Sequence, residues 1–270
     1  MSHFSADALI LRSVERGEHD RLITVLTAES GRFYAIVKGA GAMHRREVAA
    51  TEPYTWSNIE FYEKNGVKWV KNATAHECFH GIRYDMDKLF LAAYIAEVVS
   101  ELSDEREPAG EILPLALNTL HLLSQSGADV VRIKATFELR AACIAGFSPE
   151  LAVCECCHRA CEGDVYLDVL GGTVRCRKCF DAAQQLIPIT ALDVMGERRL
   201  MLPLDGSARA AFAYIESADP KRVFAFRLES EESLAHFAAA TEAYLLHHLE
   251  RGFVSLENYK KLAAVAPPAR

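Results

Sequence analysis

Two hydrophobic rhythms divide the chain. Between residues 8 and 73, apolar side chains alternate with polar ones or gather in short β-branched and aromatic blocks; beyond residue 85 they recur every three to four positions. The first rhythm predicts strands over residues 8–13, 21–27, 32–38, 54–62 and 67–73, separated by Gly17, Gly31, one long loop and the hairpin turn Asn65-Gly66. Five strands with no intervening helix point to a small closed barrel, and the OB-fold is the natural candidate. The second rhythm predicts helices over residues 86–102, 112–123, 130–145, 190–202, 207–217 and 231–250. The third of these stops at Gly146, with Pro149 beyond it. The expected class is α+β, with a barrel domain over 1–80 and a helical domain over 81–270 that encloses a cysteine-rich module at about 152–182.

That module carries the strongest chemical signal. Cys154 and Cys157 form one C-x-x-C pair and Cys176 and Cys179 a second, the arrangement in which two tight knuckles aim four thiolates at a common centre. Residues 165–170 and 173–174, joined by Gly171-Gly172, read as a hairpin that returns the second knuckle to the first. The expected occupant is one structural Zn2+ per chain, closed to substrate because no coordination position is left open. Its surplus of negative charge would be offset by Arg159, Arg175, Arg177 and Lys178. Cys156 and Cys161 crowd the first knuckle, and Cys157 with Cys161 also has an allowed ligand spacing, so the ligand set stays open at this level.

Composition narrows the setting. Half of the 270 residues are hydrophobic, yet no apolar run approaches the ~18 residues of a membrane helix. The amino terminus lacks the basic and apolar regions of a secretory signal. A reducing cytoplasm is therefore expected, which favours a metal over disulfides for the eight cysteines. The net charge of −7 argues against a nucleic-acid partner only superficially. Residues 1–80 hold ten basic and ten acidic side chains against totals of 30 and 37, so the acid excess lies wholly beyond the barrel. A local cationic surface, not the average, decides phosphate contact.

Such a surface is suggested after the third strand. From Arg32 to Arg46 there are four cations (Arg32, Lys38, Arg45 and Arg46) and no acid, and Gly39 and Gly41 let the loop between them approach a ligand. Lys68 and Lys71 on the fifth strand extend the candidate set. Tyr34, Trp56, Tyr62 and Trp69 either offer faces on which bases stack or fill the barrel. The glycine-rich loop lacks the Lys-Ser/Thr ending of a phosphate-binding P-loop. A second cationic feature lies on the helix at 130–145, where Arg132, Thr136 and Arg140 share a face and Lys134 stands to one side. Beside an apolar stripe, such a row suits an acidic, hydrophobic peptide tail, although more often it is a solvated helix side. No nucleophile elbow, H-E-x-x-H or carboxylate pair emerges, which lowers the expectation of an enzyme and leaves a protein-binding zinc adaptor as the alternative class.

In order and spacing, these features resemble the RecO family of bacterial recombination mediators. The resemblance rests on Gly17-Glu-His-Asp-Arg-Leu-Ile-Thr-Val-Leu-Thr27, Ser30-Gly-Arg32, Val37-Lys-Gly-Ala40 and Tyr94-Ile-Ala-Glu-Val98. It continues through Phe137-Glu-Leu139, Ala145-Gly-Phe-Ser-Pro149, the four-cysteine clasp with Gly171-Gly172, and Val254-Ser-Leu256. The resemblance implies an OB-fold, a helical domain and, in many members, a zinc site. It further implies binding of single- and double-stranded DNA, annealing of complementary strands, and contact with the acidic tail of single-stranded DNA-binding protein (SSB). Cooperation with RecR to load RecA is implied as well, with no turnover chemistry. By the same resemblance Lys38, Arg45 and Arg46 match the family's basic surface. The helix of Arg132, Lys134 and Arg140 matches the tail-binding region, with Thr136 where some members carry a basic residue.

Overall fold

A computed structural model describes residues 2–39, 45–186 and 200–265. The amino-terminal strands are β1 (Ser2–Arg16), β2 (Asp20–Thr27), β3 (Gly31–Val37), β4 (Trp56–Lys64) and β5 (Val67–Glu77), with a short helix α1 (Arg45–Ala50) between β3 and β4. They close into a barrel in the order β1-β2-β3-β5-β4, with β1 returning to β4. All pairings are antiparallel except β3 with β5, which meet in parallel at Ile36↔Trp69 and Val37↔Val70. This is the five-stranded barrel of the OB type. Its interior is filled from every strand, by residues such as Ile10, Val25, Phe33, Phe61 and Val70, and Ala50 of α1 joins that core. The first strand begins at Ser2, ahead of its apolar stretch, because residues 2–9 pair along β4.

The barrel's outer face is not all solvated. Residues 8–11 of β1 are buried without interruption. Ala8 and Ile10 point into the barrel, while Leu9 and Leu11 lie against Ile95, Ala96 and Val99 of α3 (Met86–Glu101) and Ala116 and Leu120 of α4 (Ile112–Ser124). A bulge between Ile10 and Arg12 leaves Leu11 without a partner on β2 and turns it toward the helices. The segment before α4 is tied to the β2–β3 turn by Arg32 N–H to Asp104 O at 3.1 Å and Ala109 N–H to Ala28 O at 3.0 Å. Gly31, at φ +62°, is required there, since a Cβ would collide with the Glu107 carbonyl. The last helix, α9 (Val254–Val265), packs on α3, where Phe253 meets Tyr94 edge-on at 5.4 Å and Ser255 donates to Glu97 at 2.7 Å. The compact unit is therefore residues 1–128 with 253–270. Strand gives way to helix between β5 and α2 (His80–Arg83), but compactness does not divide the chain there, because β1 needs α3 and α4 as cover.

Residues 129–252 form the second unit. Helix α5 (Val130–Ile144) packs on α7 (Gly206–Ser217) and α8 (Glu231–His248), beside a four-stranded sheet in the order β6-β8-β7-β9. The strands are β6 (Glu150–Cys154), β7 (Val165–Asp168), β8 (Thr173–Cys176) and β9 (Met201–Leu204), and α6 (Arg177–Leu186) follows β8. The short α2 (His80–Arg83) belongs to the first unit. The β7–β8 hairpin forms as expected, its turn held by Asp168 Oδ1, which accepts from Leu170 N–H and Gly171 N–H. Gly172, at φ +63°, lets that turn approach Tyr244 of α8. The helix expected over 190–202 falls largely outside the described residues, and its last positions are corrected to strand: Met201 and Leu202 pair with Asp168 and Leu167. Pro203, which cannot donate, is tolerated because β9 is an edge strand.

Candidate metal centre and nucleic-acid interface

The four cysteines converge because two strand ends meet. β6 ends at Cys154, and a tight turn closed by His158 N–H to Cys154 O at 2.9 Å brings Cys157 round. β8 ends at Cys176, beside β6 in parallel, and Cys179 follows in the first turn of α6. The four Sγ atoms lie within 4.8 Å of one another, and Cys157 and Cys176 are 4.0 Å apart. A tetrahedral ion with metal–sulfur bonds of about 2.3 Å sets its sulfurs about 3.8 Å apart, so the residues fit such an ion. Among the described residues this is the one group able to hold a metal. Cys156 is exposed and Cys161 is buried with its amide on Ala152 O, and neither joins the group. Burial raises the Cys154 thiol, but N–H donors from Cys176, Cys157 and Cys156 outweigh it and hold the group at about 6. Hydrogen bonds with the Cys176 and Cys157 sulfurs hold the Cys179 thiol proton and push that group upward, and metal binding would displace such protons. The expected offset by neighbouring arginines is reduced. Arg175 is engaged by Glu155, and Arg177 lies 3.6 Å from Asp164.

On the barrel, Lys38 follows β3 and is exposed. Val37, the last residue of β3, pairs with Val70, so Lys38 follows directly beyond that pair while Lys71 follows Val70 within β5. Lys71 lies 3.5 Å from Glu60, an exposed pair that holds it weakly. Lys68 sits at the barrel mouth, 5.1 Å above the Phe33 ring. Arg32 is tethered, donating to Ser103 O at 2.9 Å and to the Tyr34 hydroxyl at 3.1 Å. Arg45 and Arg46 were expected in a loop; they open α1 instead, and residues 40–44 lie outside the described residues. Tyr34, Trp56, Tyr62 and Trp69 all stand outside the barrel core, whose aromatic content is Phe33 and Phe61 with Phe4 packed against them.

The cationic row on α5 is corrected in two of its three members. Lys134 is 7 % exposed, with Nζ 2.7 Å from Glu138 and 2.8 Å from Glu242. Arg140 is buried and donates from Nη1 to Ile215 O and Glu216 O, carbonyls in the last turn of α7. Arg132 alone lies at an open cleft. It donates to Phe224 O at 3.0 Å and sits 5.8 Å over the Phe226 ring, with Arg227 and Leu234 on the cleft wall. Phe226 and Arg227 belong to a stretch without periodicity, so no sequence signal pointed to them.

Comparison with known proteins places both halves of the chain. The family model described as recombination protein O, N terminal, matches residues 1–79, and that for the C terminal matches residues 83–257. The chain is 26 % identical to the DNA repair protein RecO of Acetivibrio thermocellus over 262 residues, covering 97 % of this chain and 98 % of that one. It is 31 % identical to that of Anaeromyxobacter sp. strain K over 254 residues, covering 93 % of each. Against that of Heliobacterium modesticaldum it is 37 % identical over 162 residues, covering 60 % of this chain and 58 % of the other.

The buried cluster on α5 makes a stability prediction. Burial by itself would lower the Lys134 pKa, but Glu138 and Glu242 outweigh it and raise it. With the folded value above the unfolded one, the cluster's contribution is complete below the ordinary lysine range and is lost as pH rises through the raised value. Lys134→Ala removes the buried cation shared by Glu138 and Glu242 and should lower the unfolding free energy by about 3–5 kcal/mol at neutral pH. Urea denaturation measures this, and the double change Lys134→Met, Glu138→Met should cost less than Lys134→Ala.

Proposed function

The chain belongs to the RecO family of DNA repair proteins, and from that premise we propose that it is a DNA-binding recombination mediator whose barrel grips phosphates. It binds single- and double-stranded DNA, anneals complementary strands, and works with RecR to help RecA replace SSB. No turnover chemistry is required. The observation that carries this reading is the β3–β5 register, which sets Lys38 just beyond the Val37–Val70 pair and Lys71 next to Val70. Lys38 is exposed and has no carboxylate at ion-pair distance among the described residues. Cations on one small surface neutralise phosphates of two strands, reduce their mutual repulsion and let base pairing nucleate. Arg45, Arg46, Lys68 and Arg32 complete the candidate surface.

Replacing Lys38, Arg45 and Arg46 together with Ala should weaken binding to both forms of DNA and flatten the log–log salt dependence by about 2–3, since each lost phosphate contact removes about 0.7–0.9 from the slope. Fluorescence anisotropy at several salt concentrations reads both quantities, and an unchanged slope would remove these residues from the interface.

The clasp is read as a structural zinc site. Its thiolate donors suit Zn2+, and a closed four-sulfur site has a folding role, fastening the end of β6 to the start of α6. Elemental analysis should find about one zinc per chain in the natural protein. The Cys176→Ser, Cys179→Ser variant should lose it and melt at a lower temperature.

The Arg132 cleft is read as the docking place for the acidic tail of SSB, in which Arg132 and Arg227 meet carboxylates and Phe226 and Leu234 meet apolar side chains. Arg132→Glu should weaken an acidic tail peptide by about tenfold or more, while the loss of its contacts with Phe224 O and Asp129 lowers the melting temperature but leaves the protein folded at the temperature of the titration. Isothermal titration measures the affinity; retained affinity would refute the site.

A further inference from the structure

Strand register places side chains from six strand segments in one row on the barrel exterior. His3 pairs with Tyr62, Tyr62 with Trp69, Trp69 with Ile36, Ile36 with Leu22 and Leu22 with Val14. The neighbours Phe4, Phe61, Val70, Ala35 and Ile23 belong to the barrel core, so alternation turns this row outward. At its centre the Tyr62 and Trp69 rings are 6.2 Å apart and 12° from parallel, and His3 lies 6.1 Å beyond Tyr62. Ile36, only 4 % exposed, gives Trp69 a packed neighbour on its other side. The interior is already filled by other aromatics, so barrel packing does not account for two large rings on the outer surface.

On the reading that the barrel grips phosphates, we propose that Tyr62 and Trp69 form a base-stacking platform that makes this face selective for single-stranded DNA. Lys38 and Lys71 border the row along one side and Lys64 stands at the other, while the nearby acid Glu60 is engaged by Lys71. That charge pattern suits a polyanion whose backbone follows the lysines while its bases lie on the rings. A duplex keeps its base faces stacked internally and can use the lysines alone. A single strand uses both, and stacking tolerates any sequence because every base has a flat face.

The chain has two tryptophans, so Trp56→Phe leaves Trp69 as its sole indole reporter without altering the platform. Adding an oligothymidylate to that protein should quench Trp69 emission along the isotherm given by anisotropy of the labelled oligonucleotide, and a duplex of equal length should leave emission nearly unchanged. Tyr62→Ala with Trp69→Ala should lower single-strand affinity by about tenfold or more and duplex affinity by less than about twofold, whereas Trp69→Phe should keep most of the single-strand affinity. Single-strand binding with unquenched Trp69, or equal weakening of both DNA forms, would overturn the platform and leave the phosphate grip standing. Failure of the natural protein to bind either DNA would remove both. Quenching by an acidic apolar peptide but not by oligothymidylate would make the row a protein-docking face and end the proposal.

Discussion

From Ala8 to Leu11 every side chain of β1 is buried, although successive side chains of a strand point in opposite directions. Two hydrophobic layers therefore share one strand: Ala8 and Ile10 belong to the barrel core, and Leu9 and Leu11 to the cover formed by α3 and α4. Each leucine buried this way contributes about 1.5–3 kcal/mol relative to exposure. The backbone is satisfied on both edges: β1 pairs with β2 and β4, and at the crossing Ile10 donates to Thr55 O at 3.0 Å and accepts from Tyr54 N–H at 2.7 Å. A polar substitution at Leu9 or Leu11 would expose the barrel wall and the helix pair together. The amino-terminal barrel is thus completed by sequence lying beyond it.

Much of this was legible where the signal is local. Alternation marked the five barrel strands, and the turn at Asn65-Gly66 marked the hairpin between β4 and β5, with Asn65 at φ +53° and Gly66 at φ +76°. Paired C-x-x-C spacing marked the clasp because a knuckle is made within a few residues. Spacing alone could not decide against Cys161. That exclusion comes from its amide, held on Ala152 O, and from β6 running beside β8, which brings Cys154 rather than Cys161 to Cys176. The four-residue apolar run in β1 showed that the strand is buried but not that helices more than eighty residues further on supply its second face. The end of the expected helix at 190–202 became an edge strand because β7 offered Met201 and Leu202 a ladder that no local propensity records.

Helix α5 shows the same limit in its electrostatics. Periodicity correctly sets Arg132 and Arg140 on related turns, but it is silent about what covers them. Arg140 meets carbonyls 75 and 76 residues away, and Lys134 meets a carboxylate 108 residues away. Both cations have internal roles, one on a helix end and one between two acids. Glu138, fully buried, is paired with Lys134 at 2.7 Å. Counting cations along a helix therefore overstates what a ligand can meet. Of the three, Arg132 keeps an open side because it stands in the first turn of α5, above the irregular segment that carries Phe224 and Phe226.

A net charge of −7 and a phosphate-binding face are compatible because of the distance over which charge acts. At physiological ionic strength the screening length is about 8 Å, so a phosphate beside Lys38 and Lys71 responds to those ammonium groups and hardly to acids elsewhere on the surface. Lowering the salt strengthens the contact because release of condensed counterions from DNA becomes more favourable, but it also lengthens the reach of the acid excess that lies beyond residue 80. The two effects oppose each other, which favours contact confined to the barrel wall over adhesion across the whole molecule. Stacking is nearly indifferent to screening. A face that adds Tyr62 and Trp69 to its lysines would keep part of its hold on a single strand at salt concentrations that release a duplex.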